Sequence, residues 1–308
     1  GIYTHFLTDE GGIAADLTVI RMPDRCRVID GADAGPRDYN YLKRLAQDNG
    51  FDVTIEDVSE NFTTIGVWGP NARTTLQKVV SDPEALSLEN SPFASLRQIE
   101  IAGKSVTALR LSYVGEQGWE LHMKYEDGLA VWDALRSLEI MPFGVETYAN
   151  TRRMEKSLRL QNADLLTDYN LIEADLARPK VKAADFRGKQ AYLDIRARDH
   201  QPATLCTLVV DENIDGDGIA RYPVGTCPVM DPESKEVLVD ELGRRSYTTS
   251  IAFGPTIGKN IALTYLPHEH AQKGNKFLID YMGEEFPVTV AGVGYEPLYD
   301  PENLKPRS

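Results

Sequence analysis

Apolar and polar positions alternate over short stretches along most of the chain, and only a few windows change to a helical period. The first two alternating runs cover 2–7 and 13–20. Thr8-Asp9-Glu10-Gly11-Gly12 lies between them, and two β-prone runs about a glycine-containing turn predict a hairpin. Over 37–49 the period lengthens. Tyr39, Leu42, Leu45 and Ala46 share one helical face, and Asn49-Gly50 is a stop signal. Strands are expected at 51–55 and 62–68. Gly69-Pro70 ends the second, and Pro70 suits the first turn of a helix over 71–80, with Ala72, Leu76 and Val79 inward. Two strands at 95–101 and 105–111 flank Ala102-Gly103. The second runs into a glycine-bracketed turn and a further strand that ends in Gly118-Trp119-Glu120. Leu129, Trp132 and Leu135 are expected to line one helix, and 145–160 to form another.

The stretch 164–184 is charged, carries Pro179 and shows no period; it reads as a long connection. Beyond residue 202 the texture becomes all-β. Strands are expected at 205–210, 237–239, 246–253, 260–266, 276–282 and 286–293, between Gly, Pro and Asp turns. The fold class predicted is α+β. An antiparallel-sheet region over 1–198 is followed by an all-β barrel or jelly-roll-like domain over 199–308.

A chain of 308 residues can bury two packed domains. A net charge of -14 argues against nucleic acid as a partner, which normally meets a basic face. No apolar run approaches the ~18 residues of a membrane helix, and no signal-peptide pattern opens the chain. Cys26, Cys206 and Cys227 are odd in number and lack CxxC spacing. They read as reduced thiols of the cytoplasm, or of the mitochondrial matrix in a eukaryote, with no disulfide frame. His268-Glu269-His270 has no third ligand in reach of a motif, so no metal is expected. A GxGxxG fingerprint followed by an acid, as FAD binding would need, is absent.

A few residues carry candidate chemistry. Asp16 stands among apolar and small neighbours in the returning strand of the hairpin. It either faces solvent or needs a partner, because an unpaired buried charge is costly. Glu120 and His122 alternate in phase on one strand face, where a histidine either lines a site or simply packs. Arg152-Arg153 is a local cation pair in an acidic chain.

The motifs containing these residues recur in a fixed order: GGxxxD at 11–16, GPxA at 69–72, SYxGExGWE at 112–120 and R-[LM]-E-K at 153–156. They continue with DFxGKxA at 185–191, KNIALxY at 259–265 and YDPE at 299–302. On that ordered set the chain resembles the aminomethyltransferase family: the T-protein of the glycine cleavage system and the folate-binding halves of dimethylglycine and sarcosine dehydrogenases. Its GWE, MEK and YDPE are closer in style to the dehydrogenase branch. Family members carry a further segment ahead of the hairpin, so the first strand is expected to pair with something outside this sequence.

The resemblance implies a site. Asp16 would lie near N10 of tetrahydrofolate, accepting a proton or hydrogen bond or stabilising a cationic iminium. Ala15 stands where many members have a first acid, and Ile20 where they have a tyrosine. Glu120 would pair with the pterin's amino and ring N–H donors, since a carboxylate offers two acceptor oxygens. Tyr113 would flank that ring, and Arg153, or the adjacent Arg152, would meet the glutamate tail. The implied activity is tetrahydrofolate-dependent capture of carbon from an oxidised N-methyl amine, met as iminium or formaldehyde, giving 5,10-methylenetetrahydrofolate. FAD would then belong to a flavoprotein domain or partner chain outside this sequence. Two alternatives stay open: a folate-dependent demethylase giving 5-methyltetrahydrofolate, and a non-enzymatic folate-binding protein. Relatives of the last kind that assist iron–sulfur assembly carry a KGCYxGQE-type motif, where this chain reads Phe186-Arg187-Gly188-Lys189-Gln190-Ala191.

Overall fold

The computed structural model describes residues 1–31, 34–211, 214, 216–219 and 221–308. The chain opens with β1 (Ile2–Leu7), β2 (Ile13–Arg21) and β3 (Cys26–Asp30), a three-stranded sheet in that order. The hairpin is as expected, but β3 is not. Its alternation is hidden behind Pro23 and the charged Asp24-Arg25, and it is fixed by antiparallel register from Leu17↔Asp30 to Arg21↔Cys26. Among the described residues β1 and β3 are the edge strands of this sheet. The glycine turn is a packing device as well as a bend: a Cβ on Gly12 would lie 2.0 Å from the Thr167 carbonyl oxygen. Beside it Ile13 N donates to Tyr169 O at 3.0 Å.

Helix α1 (Gly35–Asp48) starts with Pro36 in its first turn and ends at Asn49, as its stop signal predicts. Residues 51–58 form no strand: Phe51 and Val53 have no ladder partner and are about three-fifths exposed, at 59% and 60%. Next come β4 (Phe62–Trp68), α2 (Ala72–Leu76), β5 (Leu96–Ile101), β6 (Lys104–Leu109), β7 (Gly118–Lys124) and α3 (Gly128–Arg136). The four strands form one antiparallel sheet in the order β4-β7-β6-β5. One face packs Val67, Ile99, Ile101, Val106, Ala108, Trp119, Leu121 and Met123 against α2 and α3. That segregation is the period-2 rule at work, and it leaves Thr64, Gly66, Trp68, Thr107, Glu120 and His122 at the opposite phase. Helix α3 turns inward a stripe that shares only Leu135 with the one expected. Val131 and Leu135 are buried, whereas Leu129 and Trp132 are 71% and 42% exposed. Two apolar stripes compete on this short helix, and periodicity alone does not choose between them.

The helix expected over 145–160 is shorter and wider. Glu146–Arg152 is a π-helical turn, α4 (Arg153–Glu155) follows, and Ser157 leaves the helix with φ at +52°. π-helical turns are rare and are found mostly near functional sites. The stretch 157–187 holds no regular helix or strand, and α5 (Lys189–Arg196), which the sequence pattern does not reveal, closes it.

The C-terminal part is all-β as expected: β8 (Ala203–Val210), β9 (Val229–Met230), β10 (Thr248–Gly254), β11 (Lys259–Pro267), β12 (Lys276–Tyr281) and β13 (Glu284–Val293). They form one antiparallel sheet in the order β10-β11-β8-β13-β12-β9 around Leu208, Val229, Phe277, Ile279, Phe286 and Val288. The strand expected at 237–239 is reduced to the bridges Met230↔Val237 and Val239↔Arg245. The chain closes with α6 (Leu304–Arg307).

The chain divides into two compact units that interleave in sequence. The first is 1–4, 15–144 and 302–308; the second is 5–14 and 145–301. Among the described residues no helix is long and apolar enough to cross a membrane.

Candidate functional site

In the first unit the polar face of the four-stranded sheet carries the most open chemistry. Glu120 and His122 sit two apart on β7 and point the same way. Register places Glu120 opposite Gly66 on β4 and Leu109 on β6, and His122 opposite Thr64 and Thr107. His122 is 7% exposed and the Glu120 side chain 19%. His122 Nδ1 lies 2.9 Å from Thr64 Oγ1. Its Nε2 lies 3.3 Å from Glu120 Oε2, but without the alignment of a hydrogen bond, so this buried nitrogen has no hydrogen-bond partner among the described residues.

An aromatic plate lies beside the carboxylate. A Cβ on Gly66 would fall 2.0 Å from the Trp68 ring, and one on Gly118 would fall 2.4 Å from it. The indole therefore fills the side-chain space of Gly66, on the face and at the register position of Glu120. Trp68 Nε1 donates to Leu111 O at 2.8 Å, and Phe143 stands 6.2 Å away, tilted. The sequence reading leaves Trp68 as the end of a strand. The signal that finds it is the pair of glycines, one within a strand interior and one at a strand start, since a strand glycine often marks close approach by another group.

Asp16 on β2 is half-buried and accepts a hydrogen bond from Tyr3 Oη at 2.9 Å. Its partner is thus the facing strand of its own hairpin. Tyr113 is half-buried in the loop between β6 and β7. Asp16, Tyr113 and Glu120 belong to the first unit, Arg152 and Arg153 to the second.

Within the second unit Arg153 is 1% exposed. It donates to Ala149 O, to Leu158 O (2.9 Å), to Asp164 Oδ2 (2.6 Å) and to Ser250 Oγ (2.7 Å). Arg152 is nearer the surface, with 18% of its side chain exposed. It donates to Glu155 Oε2 at 2.8 Å and Thr256 Oγ1 at 3.0 Å, and its guanidinium lies 5.0 Å from the Tyr299 ring centre.

The polar face offers an acceptor pair, a flat aromatic wall and a buried nitrogen with an unused valence. That set fits a planar heterocycle whose edge presents adjacent N–H donors, because stacking and a bidentate carboxylate are satisfied together. Fold and face define an α+β ligand-binding module joined to an antiparallel β domain.

Comparison with known proteins narrows this. The GCVT N-terminal domain model matches residues 1–182, and the glycine cleavage T-protein C-terminal barrel domain model matches residues 224–300. The chain is 31% identical over 296 residues to the mitochondrial dimethylglycine dehydrogenase of Homo sapiens, covering 93% of this chain and 32% of that protein. It is 31% identical over 288 residues to the aminomethyltransferase of Thermotoga petrophila, covering 92% and 72%. Among solved structures, the glycine cleavage system aminomethyltransferase T from Bartonella henselae superposes with a TM-score of 0.75 at 20% identity, covering 95% of this chain and 75% of that one. This last likeness shows the fold. The chain belongs to the glycine cleavage T-protein, or aminomethyltransferase, family. It spans about a third of the length of the dimethylglycine dehydrogenases it matches.

Proposed function

We propose that this module captures a one-carbon unit on tetrahydrofolate. The carbon comes from an oxidised N-methyl amine, as iminium or formaldehyde, and the product is 5,10-methylenetetrahydrofolate. The observation that carries the reading is Glu120, half-buried beside the Trp68 plate and without an aligned hydrogen bond among the described residues. In this reading Glu120 accepts the N–H donors of the pterin edge, while Trp68 and Tyr113 bound its faces. Tetrahydrofolate supplies the nitrogen that takes up the carbon. Asp16, oriented by Tyr3, accepts the proton or hydrogen bond at N10 and offsets positive charge near it. The glutamate tail falls to the Arg152–Arg153 pair. Arg152 has the more exposed guanidinium, and a contact by Arg153 would displace one of its protein acceptors. FAD chemistry belongs to a flavoprotein domain or subunit outside this sequence, and the location is the cytoplasm or, in a eukaryote, the mitochondrial matrix. The functional division we propose places the folate-binding region over 1–198 and the barrel over 199–308.

The test is Asp16→Asn in the assembled enzyme, which keeps size and polarity and removes the charge. Positioned acid–base or electrostatic help is worth about 10²–10⁴ in rate. Folate binding is expected to stay near wild type, while oxidised methyl groups leave as free formaldehyde. An unchanged ratio of 5,10-methylenetetrahydrofolate to formaldehyde would make Asp16 a structural carboxylate.

A further inference from the structure

His122 is a buried polar group of this face that the proposed contacts leave unused. It is 7% exposed, its Nδ1 is engaged by Thr64 Oγ1 at 2.9 Å, and its Nε2 has no hydrogen-bond partner among the described residues while lying 3.3 Å from Glu120 Oε2. A buried polar atom left unpaired is uncommon and costly, and it calls for an explanation. Chemistry at the two nitrogens gives one. If the proton sat only on Nδ1, Nε2 would turn a lone pair toward a carboxylate, an unfavourable contact in a site shielded from water. With a proton on Nε2 the contact becomes attractive. The Thr64 hydroxyl adapts to Nδ1 in either protonation state of the ring, because it can donate or accept.

We propose that His122 is a positioning residue for Glu120. Thr64 sets the ring, Nε2–H engages one lone pair of Oε2, and the carboxylate is thereby held with Oε1 and the second lone pair of Oε2 presented to the ligand. The 3.3 Å contact has to align to become that hydrogen bond, and such contacts often tighten only when a ligand binds. A carboxylate fixed in advance loses less rotamer freedom when the ligand binds. The inference rests on the reading that Glu120 meets the pterin and adds how that group is held.

Two measurements test it. In the free chain, two-bond ¹H–¹⁵N correlation spectra of the five ¹⁵N-labelled histidines, with His122 assigned by its loss in His122→Gln, should show a proton on Nε2. A bare Nε2 would overturn the proposal without any folate being present. In the second, tetrahydrofolate is titrated calorimetrically into wild type, His122→Phe, His122→Gln and Glu120→Gln. His122→Phe keeps a ring and removes the donor, and should weaken Kd about tenfold, the loss of one charge-assisted hydrogen bond. His122→Gln restores an N–H donor and should recover to within about threefold of wild type. Equal affinities for the Phe and Gln variants would reduce His122 to packing. If Glu120→Gln binds as wild type does, the placement of the pterin fails, and this outcome is distinct from failure of the His122 role alone.

Discussion

The polar face of the four-stranded sheet and the charged cluster after the π-helical turn are both built from motif residues, but their hydrogen bonding differs. In the cluster Arg153, Glu155, Lys156 and Asp164 are each answered several times over among the described residues. Arg153 has four acceptors. Glu155, fully buried, accepts from the backbone N–H of Thr256 and Ile257 and from Arg152. Lys156 donates to Tyr299 O and Asp300 O, so the R-[LM]-E-K and YDPE motifs meet. Asp164 also accepts from Leu160 N and Thr249 Oγ1. Beyond it Tyr265 stacks on Tyr169 at 3.5 Å, and the guanidinium of Arg244 lies 4.4 Å from the Tyr169 ring centre. On the sheet face Glu120 and His122 keep valences unspent. Motif matching alone does not separate these two cases; counting answered donors and acceptors does. A saturated network holds a fold, and the unsaturated face is the candidate for a ligand.

The contrast predicts where mutations act. Arg153→Met keeps length and removes the charge, leaving Asp164 buried without its cation. It should cost about 3–5 kcal/mol in chemical denaturation, as breaking a buried pair usually does. The neighbouring Arg152→Met, at a partly exposed pair, should cost about 1 kcal/mol or less. Similar losses for the two would mean that the cluster is not the rigid frame described.

A smaller effect comes from His5, whose protonation burial lowers to about 4, helped by the Arg178 cation. In the unfolded chain a histidine binds its proton near 6.5. As pH falls from about 6.5 toward 4, the unfolded state takes up a proton that the folded state refuses, so stability falls. Above about 6.5 the effect is absent. His5→Asn should flatten that fall by about 1–2 kcal/mol, read from urea midpoints at neutral and mildly acid pH. Parallel pH curves for mutant and wild type would remove His5 from the account.

Much of this was legible along the chain because it is local. The hairpin, the stop at Asn49 and the strands from 203 onward announce themselves by alternation and turn residues. What escaped depends on contacts distant in sequence. Strand β3 exists by its register with β2. The buried stripe of α3 is chosen by the sheet below it. The stretch 51–55 alternates but finds no partner. On the candidate face, the motif singles out Glu120 in the sequence, whereas Trp68 acquires its place only when Gly66 and Gly118 come together across two strands. The partnership of Tyr3 with Asp16 likewise follows from hairpin pairing and from no signal at either residue.

The central claim is that the unsaturated sheet face binds folate through Glu120. Its most direct test is the affinity of tetrahydrofolate for Glu120→Gln, measured beside the melting temperature of the same protein. Loss of a charge-assisted pair should weaken binding by about 2–3 kcal/mol, roughly 30- to 150-fold in Kd, with melting within a degree or two of wild type. A Glu120→Gln protein that melts normally and binds tetrahydrofolate as tightly as wild type would contradict the claim.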